Sequence, residues 1–516
     1  MFLFISCLSL FSVNAHAQID LSVDRSSAVY DVQETIQFNV EANSSGSAHY
    51  WIRSDRYANI LQSGTIDLQS GNTVPILFQA NTPGVFLCTI EKNNQSLTVG
   101  AVVSPFEIET LEKEPEDFDT FWQSAINELA TVPIDPELSL EEDNQYTTIY
   151  KMSLATVWNR RVHGYISIPK SNGPFPAIIS LPPFGSGAGL TGTANSIAER
   201  GGAISVSLSI HNVDPEEEDP NAYEPDIITN RDSLYYRLAI LAGVRAIDYV
   251  FTRSDFDGES LGVNGVSQGG GLAMILAGLD PRVKLLVFSN SALCQHNGLK
   301  FDRASGFPYY LNRSRNISDN SPTHQAATNI ATQYIDAVYF SKRYDGPALG
   351  ITGYIDTICP SESVFAAFNQ LRGPKTLVQV KDLGHSHPEE YWNGRFDFYR
   401  RHFPAMRTPP WPWPGTNQGY LANAGNDQTT SVGTSINLNG LVDYNNDINT
   451  TWRVEWHLEE GPGNVLFSNP NSRTTSARFN TSGTYRLRFT AFNEDDVDNN
   501  EPALITITDH LTITVN

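Results

Sequence analysis

The sequence predicts an α/β protein with a smaller all-β region on either side, and three observations predict it. Between about residues 106 and 403, strand-like apolar runs alternate with helical patterns. The runs are Ala177–Leu181, Ala203–Leu208, Leu261–Val266, Lys284–Phe288, Ala348–Thr352 and Thr376–Val380; Asp119–Leu129 and Leu234–Val250 carry the helical period. Such alternation requires crossover units, hence a mainly parallel sheet with right-handed connections. From 18 to 105 the texture changes to short alternating runs, Thr35–Val40 and Val85–Ile90 among them. Turn residues at Asn43-Ser44-Ser45-Gly46, Ser70-Gly71-Asn72 and Thr82-Pro83-Gly84 separate them, as in a small β-sandwich. The same texture returns from 419 to 516, where Ser435–Asn439 and Tyr485–Ala491 alternate strictly.

The rest of the chain frames these regions. A length of 516 residues exceeds what one core accommodates and suggests about three domains. Residues 404–418 form a stiff linker, because Pro409, Pro410, Pro412 and Pro414 exclude helix and favour extended geometry. Residues 1–17 read as a signal peptide: Phe2–Val13 is apolar, and Ala15 and Ala17 supply the small residues of a cleavage site. Its n-region lacks Lys and Arg, and the residues before Cys7 do not fit a lipidation site. A secreted or periplasmic location is the expectation. No other segment is long and apolar enough to be a membrane helix.

Composition narrows the partners. With 34 basic and 57 acidic residues the net charge is −23, which argues against nucleic acid and anionic membranes and favours a neutral or cationic substrate. Cys88, Cys294 and Cys359 remain after cleavage, an odd set without a C-x-x-C pair, so neither a disulfide framework nor a zinc site is indicated. Buried thiols are expected, with Cys88 on a strand core position, and no metal or cofactor is called for. The sequence sets no subunit number.

The chemistry concentrates at Gly265-Val266-Ser267-Gln268-Gly269. An apolar strand precedes this run and a small-residue helix follows it, the layout of a nucleophile elbow. The motif is short enough to recur by chance, so its partners decide. A serine needs a base to remove its proton, and the base needs a carboxylate to fix its tautomer. In strand–turn–helix hydrolases of this kind the chain order is Ser, Asp, His. Leu349–Tyr354 runs into Asp356, and Thr376–Val380 leads through Gly384 to His385, so both stand just past the carboxyl ends of strands, where open α/β sheets place ligands. Ser267, Asp356 and His385 are therefore the candidate triad. Asp382 is a rival acid, poorly placed on the histidine loop itself. His387 is a rival base, and His385 is preferred because Gly384 permits a tight turn. His211 is a weaker candidate for substrate contact. The oxyanion needs two N–H donors. One is the backbone N–H of Gln268; in the loop Leu181–Gly187 the prolines at 182 and 183 have none, which leaves Phe184, with Gly185 in reserve.

Four stretches carry a family resemblance: Glu114–Trp122; Tyr235-Tyr236-Arg237 with Ala242–Ala246; the elbow Gly265–Gly271; and Gly353–Pro360 with Val364–Asn369. Together they resemble the acetyl xylan esterase and cephalosporin C deacetylase family, carbohydrate esterase family 7. The resemblance implies an α/β-hydrolase fold without metal or cofactor that removes acetyl groups from sugar hydroxyls. It places the nucleophile on Ser267, the acid on Asp356, the base on His385 and the oxyanion donors on Gln268 and Phe184. Two departures stand out. Pro182-Pro183-Phe184 replaces the family's His-Gly-Tyr-like residues, and residues 209–230, acidic at Glu216-Glu217-Glu218-Asp219, leave the usual pattern.

Residues 419–516 resemble a polycystic-kidney-disease (PKD) type domain, through Ala424–Gln428, Trp452, Trp456 and Gly483–Leu487. That implies an immunoglobulin-like fold with a spacer or weak binding role. The expected architecture is thus a central α/β-hydrolase domain flanked by two small immunoglobulin-like β-sandwich domains. Asp495–Asn500 is either a calcium loop or, more plainly, an exposed acidic turn. The expected function is deacetylation of a carbohydrate such as acetylated xylan or its oligosaccharides. The alternatives are another serine hydrolase of the same fold, acting on a longer acyl ester or a peptide, and a carbohydrate-binding protein that has lost catalysis.

Overall fold

The computed structural model describes residues 19–25, 27–55, 57–185, 190–210, 228–312, 321–406, 420–444, 452–493 and 503–516. The signal segment, His211, the acidic run Glu216–Asp219, most of the proline-rich linker and Asp495–Asn500 lie outside them.

The molecule is organised on one large twisted sheet. Glu137–Asp143, Thr147–Thr156 and Arg160–Pro169 form an antiparallel margin, and Ile204–Ser209 pairs antiparallel to the last of them. Phe175–Leu181, Phe256–Val266, Val283–Ser289, Ala348–Gly353 and Lys375–Val380 then follow, each parallel to its neighbour. The chain leaves Phe175–Leu181 for Ile204–Ser209 on one side and returns to Phe256–Val266 on the other, so the strand order reverses there. That reversal is the switch point at which open α/β sheets leave a crevice.

Both faces of the parallel strands are buried, as their apolar sequences require. Ile178, Leu285, Val287, Leu349 and Ile351 pack with Ile197, Tyr391, Phe396 and Tyr399 beneath helices Leu190–Gly201 and Glu389–His402. The intervening Ala177, Ile179, Leu286 and Phe288 enter the opposite core, under helices Tyr235–Phe251, Gln268–Leu279 and Ser361–Gln370. This is the period of two expected of strands sandwiched between helix layers.

The N-terminal region supplies two further sheets. One holds three strands, Ile19–Val23, Thr35–Ala42 and Thr73–Gln79; the other holds five, centred on Gly84–Lys92 and Gln95–Val103. Their buried residues, including Ile36, Phe38, Val40, Cys88 and Ile90, join the core of the central region. A polar clamp fixes the junction: the buried Glu362 accepts from Val85 N–H (3.1 Å) and Arg303 Nε (2.8 Å), and Arg303 Nη2 donates to Pro83 O (2.6 Å).

The C-terminal region is joined to the central sheet by strand pairing. Its last strand, Ala503–Val515, pairs antiparallel with Lys375–Val380 over residues 503–508 and, on its other side, with Gly483–Asn493 over residues 505–515. The central sheet therefore continues into this region. The reason is physical: Lys375–Val380 ends the parallel series and would by itself leave an unpaired edge, a template for another strand. Trp456, Tyr485, Leu487, Phe489 and Ile513, with Leu438, Ala477 and Phe479, form a core of their own beside it.

Candidate active site

Ser267 stands in the turn between Phe256–Val266 and the helix Gln268–Leu279, with φ 57° and ψ −118°. A non-glycine residue holds such a conformation only where its surroundings impose it. Here Ser267 N–H donates to Ser289 O (2.8 Å), while Ser267 O accepts from Ala292 N–H (2.9 Å) and Gly271 N–H (3.1 Å). The two glycines of the motif are required by close approach. A Cβ on Gly265 would lie 2.2 Å from the backbone of Gly269, and one on Gly269 would lie 2.1 Å from Leu181 O. The helix thus begins in contact with both its own strand and the next.

Asp356 follows Ala348–Gly353 and is buried. Its Oδ1 accepts from Ile358 N–H and Cys359 N–H, 2.8 Å each, and its Oδ2 lies 2.7 Å from His385 Nδ1. A carboxylate only accepts, so Nδ1 carries the ring proton. Nε2 is then the basic nitrogen, and it lies 2.9 Å from Ser267 Oγ. The loop bearing His385 is stitched to the acid loop through Ile355 N–H to Leu383 O (3.2 Å) and Tyr354 N–H to Val380 O (3.0 Å). Asn290 Nδ2 ties down its far side by donating to Ser386 O.

The rivals stand apart from this line. Asp382 Oδ2 lies 4.0 Å from Lys381 Nζ, and burial raises the pKa of its carboxyl. His387 is held below the ordinary imidazole value by burial and by Arg395. His211 lies outside the described residues.

Gln268 opens the helix, so its N–H belongs to the first turn and has no intrahelical acceptor. Its buried side chain does a second task. Oε1 accepts from Tyr236 Oη (2.8 Å), and Nε2 donates to Pro182 O (3.4 Å), which fixes the loop that leads to Phe184 and Gly185. The structure therefore brings the Phe184 loop against the start of the elbow helix. Phe184 itself is 44% exposed, its ring edge-on to Phe307.

Sequence reasoning missed two neighbours. Cys359 Sγ lies 3.9 Å from Ser267 Oγ, and Tyr236 positions Gln268. Tyr236 sits within a stretch the family resemblance singled out, whereas the proximity of Cys359 is purely spatial. All three described cysteines are buried and none is in a disulfide. Burial pushes the Cys88 thiol up to about 12 and raises Cys294 as well. Among the described residues, no group of three or more His, Cys, Asp or Glu is arranged to hold a metal ion, and no helix is long and apolar enough to cross a membrane.

A serine, an imidazole and a carboxylate in one hydrogen-bonded line, at the switch point of this sheet, define an α/β-hydrolase with the geometry of acyl transfer. Comparison with known proteins gives the particular family. Residues 107–402 match the model of the acetyl xylan esterase (AXE1) family, and the chain belongs to that family. It is 30% identical over 332 residues to the acetyl esterase Axe7A of Xylanibacter ruminicola, a match covering 61% of this chain and 73% of that protein. In fold it is similar to acetyl xylan esterase 1 from Thermoanaerobacterium sp. (TM-score 0.53, 23% identity, 58% of this chain and 98% of that one). It is likewise similar to the acetyl xylan esterase from Paenibacillus sp. R4 (TM-score 0.52, 23% identity, 58% and 98%). The protein is a carboxylic ester hydrolase.

Proposed function

We propose that the enzyme removes O-acetyl groups from carbohydrates such as acetylated xylan and xylo-oligosaccharides through an acetyl-Ser267 intermediate. His385 Nε2 takes the proton of Ser267 Oγ as the oxygen attacks the acetyl carbonyl. The N–H groups of Gln268 and Phe184 hold the oxyanion. His385 returns the proton to the departing sugar oxygen, then activates a water that releases acetate and restores the serine. Asp356 keeps the imidazole in the tautomer this sequence needs and stabilises its cationic form. The observation that carries the reading is the unbroken line from Ser267 Oγ to His385 Nε2 (2.9 Å) and from His385 Nδ1 to Asp356 Oδ2 (2.7 Å), in a chain of this family.

The finer features belong to the same proposal. Residues 1–17 direct export to the periplasm or medium, and the flanking β-regions are immunoglobulin-like, the C-terminal one PKD-like. The alternating strands and the separate core of the C-terminal region support that assignment. The test is acetate release from acetylated xylan, mannan and pectin beside an acyl-length series of p-nitrophenyl esters. Acetate release from at least one glycan, with acetate the preferred acyl group, is expected; a peak at butyrate or beyond without glycan deacetylation would overturn it.

A further inference from the structure

We propose that a row of aromatic rings leading from the Phe184 loop to Tyr57 of the N-terminal region is a subsite for a sugar ring of the substrate beyond the acetylated one. This rests on the reading of the enzyme as a carbohydrate acetyl esterase. The row is continuous. Phe184 stands edge-on to Phe307 with ring centres 5.1 Å apart, Phe307 to Tyr309 at 6.3 Å, and Tyr309 to Tyr57 at 5.0 Å.

Its position relative to the serine is fixed at both ends of the site. Phe184 belongs to the loop that Gln268 pins beside the elbow. The Tyr309 hydroxyl bonds to the carbonyls of Thr357 and Ile358. Those residues form the turn whose N–H groups hold Asp356, and the next residue, Cys359, is 3.9 Å from Ser267 Oγ. The row therefore borders the mouth of the site.

Its exposure points to a ligand. Phe184 is 44% exposed, Tyr57 42% and Ile358 38%, whereas Tyr309 is buried beneath them as a base. Apolar rings that pack against one another yet keep this much surface in water mark a contact surface. The segments are held for the purpose. Asn59 N–H donates to Asp302 Oδ1 (2.8 Å), anchoring the Tyr57 loop to the central region. Asn290, Leu293, Gln295, Asp302 and Tyr309 all have positive φ, a concentration of backbone strain in the segment that carries Phe307 and Tyr309. A pyranose offers a flat face of C–H groups and a rim of hydroxyls, which suits aromatic faces beside polar backbone. A net charge of −23 suits a neutral glycan better than an anionic ligand. The N-terminal region would then contribute Tyr57 directly to substrate selection.

The test compares kcat/KM for an acetylated xylotetraose with that for p-nitrophenyl acetate in wild type, Tyr57→Leu and Tyr57→Trp. Leucine keeps apolar bulk without a flat face; tryptophan keeps the face. The ratio of the two kcat/KM values is expected to fall about tenfold in Tyr57→Leu, mostly through KM, and to return to within about twofold in Tyr57→Trp. A purely structural role of Tyr57, acting through Tyr309 on the acid loop, would lower both substrates together and leave the ratio unchanged; that result overturns the proposal. A second measurement needs no variant. Deacetylated xylo-oligosaccharides are expected to inhibit p-nitrophenyl acetate hydrolysis more tightly as they lengthen from one sugar to four, and inhibition independent of length overturns the subsite. Wild type that releases no acetate from any oligosaccharide overturns the proposed function instead, so the two failures are distinct.

Discussion

Replacing Asp356 by asparagine tests the hydrogen-bond line with almost no change of shape. The Oδ1 position already accepts two backbone N–H groups, from Ile358 and Cys359 at 2.8 Å each. An asparagine must keep its carbonyl oxygen there, because turning it would set an NH2 group against two N–H donors. Its NH2 then occupies the Oδ2 position, 2.7 Å from His385 Nδ1. The imidazole can meet that donor only as an acceptor, so its proton moves to Nε2, the atom that must receive the proton of Ser267. The wrong tautomer of a triad histidine costs about 10⁴ in kcat, or ~5.5 kcal/mol of barrier. The assay is steady-state hydrolysis of p-nitrophenyl acetate near neutral pH, with circular dichroism and thermal unfolding as controls. A folded Asp356→Asn enzyme within about tenfold of wild-type kcat would refute the assigned role.

Two further outcomes follow from the packing. Gly269→Ala places a methyl carbon 2.1 Å from Leu181 O, so the strand end and the Phe184 loop must move away from the elbow; kcat is expected to fall at least about a hundredfold, with ~1–3 kcal/mol of stability lost, read by kinetics and thermal unfolding. His296 is fully buried beside Tyr310, neither ring nitrogen has a hydrogen-bond partner among the described residues, and burial lowers its pKa to about 3. The unfolded chain binds this proton near pH ~6.5 and the folded one does not, so the stability it allows is present above that value and lost as pH falls toward 3. The loss is about 2 kcal/mol by pH 5. His296→Phe removes it, and urea titrations at pH 7 and pH 5 should show a smaller drop for the variant than for wild type.

The candidate triad was legible because each member ends a strand whose apolar run announces itself. Parallel buried strands read as continuous hydrophobic stretches, and the positions just beyond them are the ones the fold uses. The elbow was legible as a motif, but the reason for its glycines was not. Leu181 O, against which Gly269 packs, is distant in sequence. The outermost strand of the antiparallel margin, Glu137–Asp143, gives little sequence signal, because it is exposed along its whole length and holds only two apolar residues, Leu138 and Leu140. Glu362 reads locally as an acidic residue in the first turn of a helix, yet it is buried and holds Val85 and Arg303 across the N-terminal junction. The pairing of Ala503–Val515 with Lys375–Val380 joins segments more than a hundred residues apart, and strand composition does not name a partner. Tyr57 shows the same limit: in sequence it is one tyrosine in a polar loop, and only the fold sets it beside Tyr309.

The central claim is that Ser267 carries the acetyl group between substrate and water. Acid quenching of the enzyme during turnover of an acetyl ester, followed by peptide mass spectrometry, tests it directly. One added acetyl group is expected on the peptide containing Ser267, and none after Ser267→Ala. An acetyl group found instead on the peptide containing Cys359, whose sulfur lies 3.9 Å from that oxygen, or an unmodified enzyme that still turns over after Ser267→Ala, would contradict it.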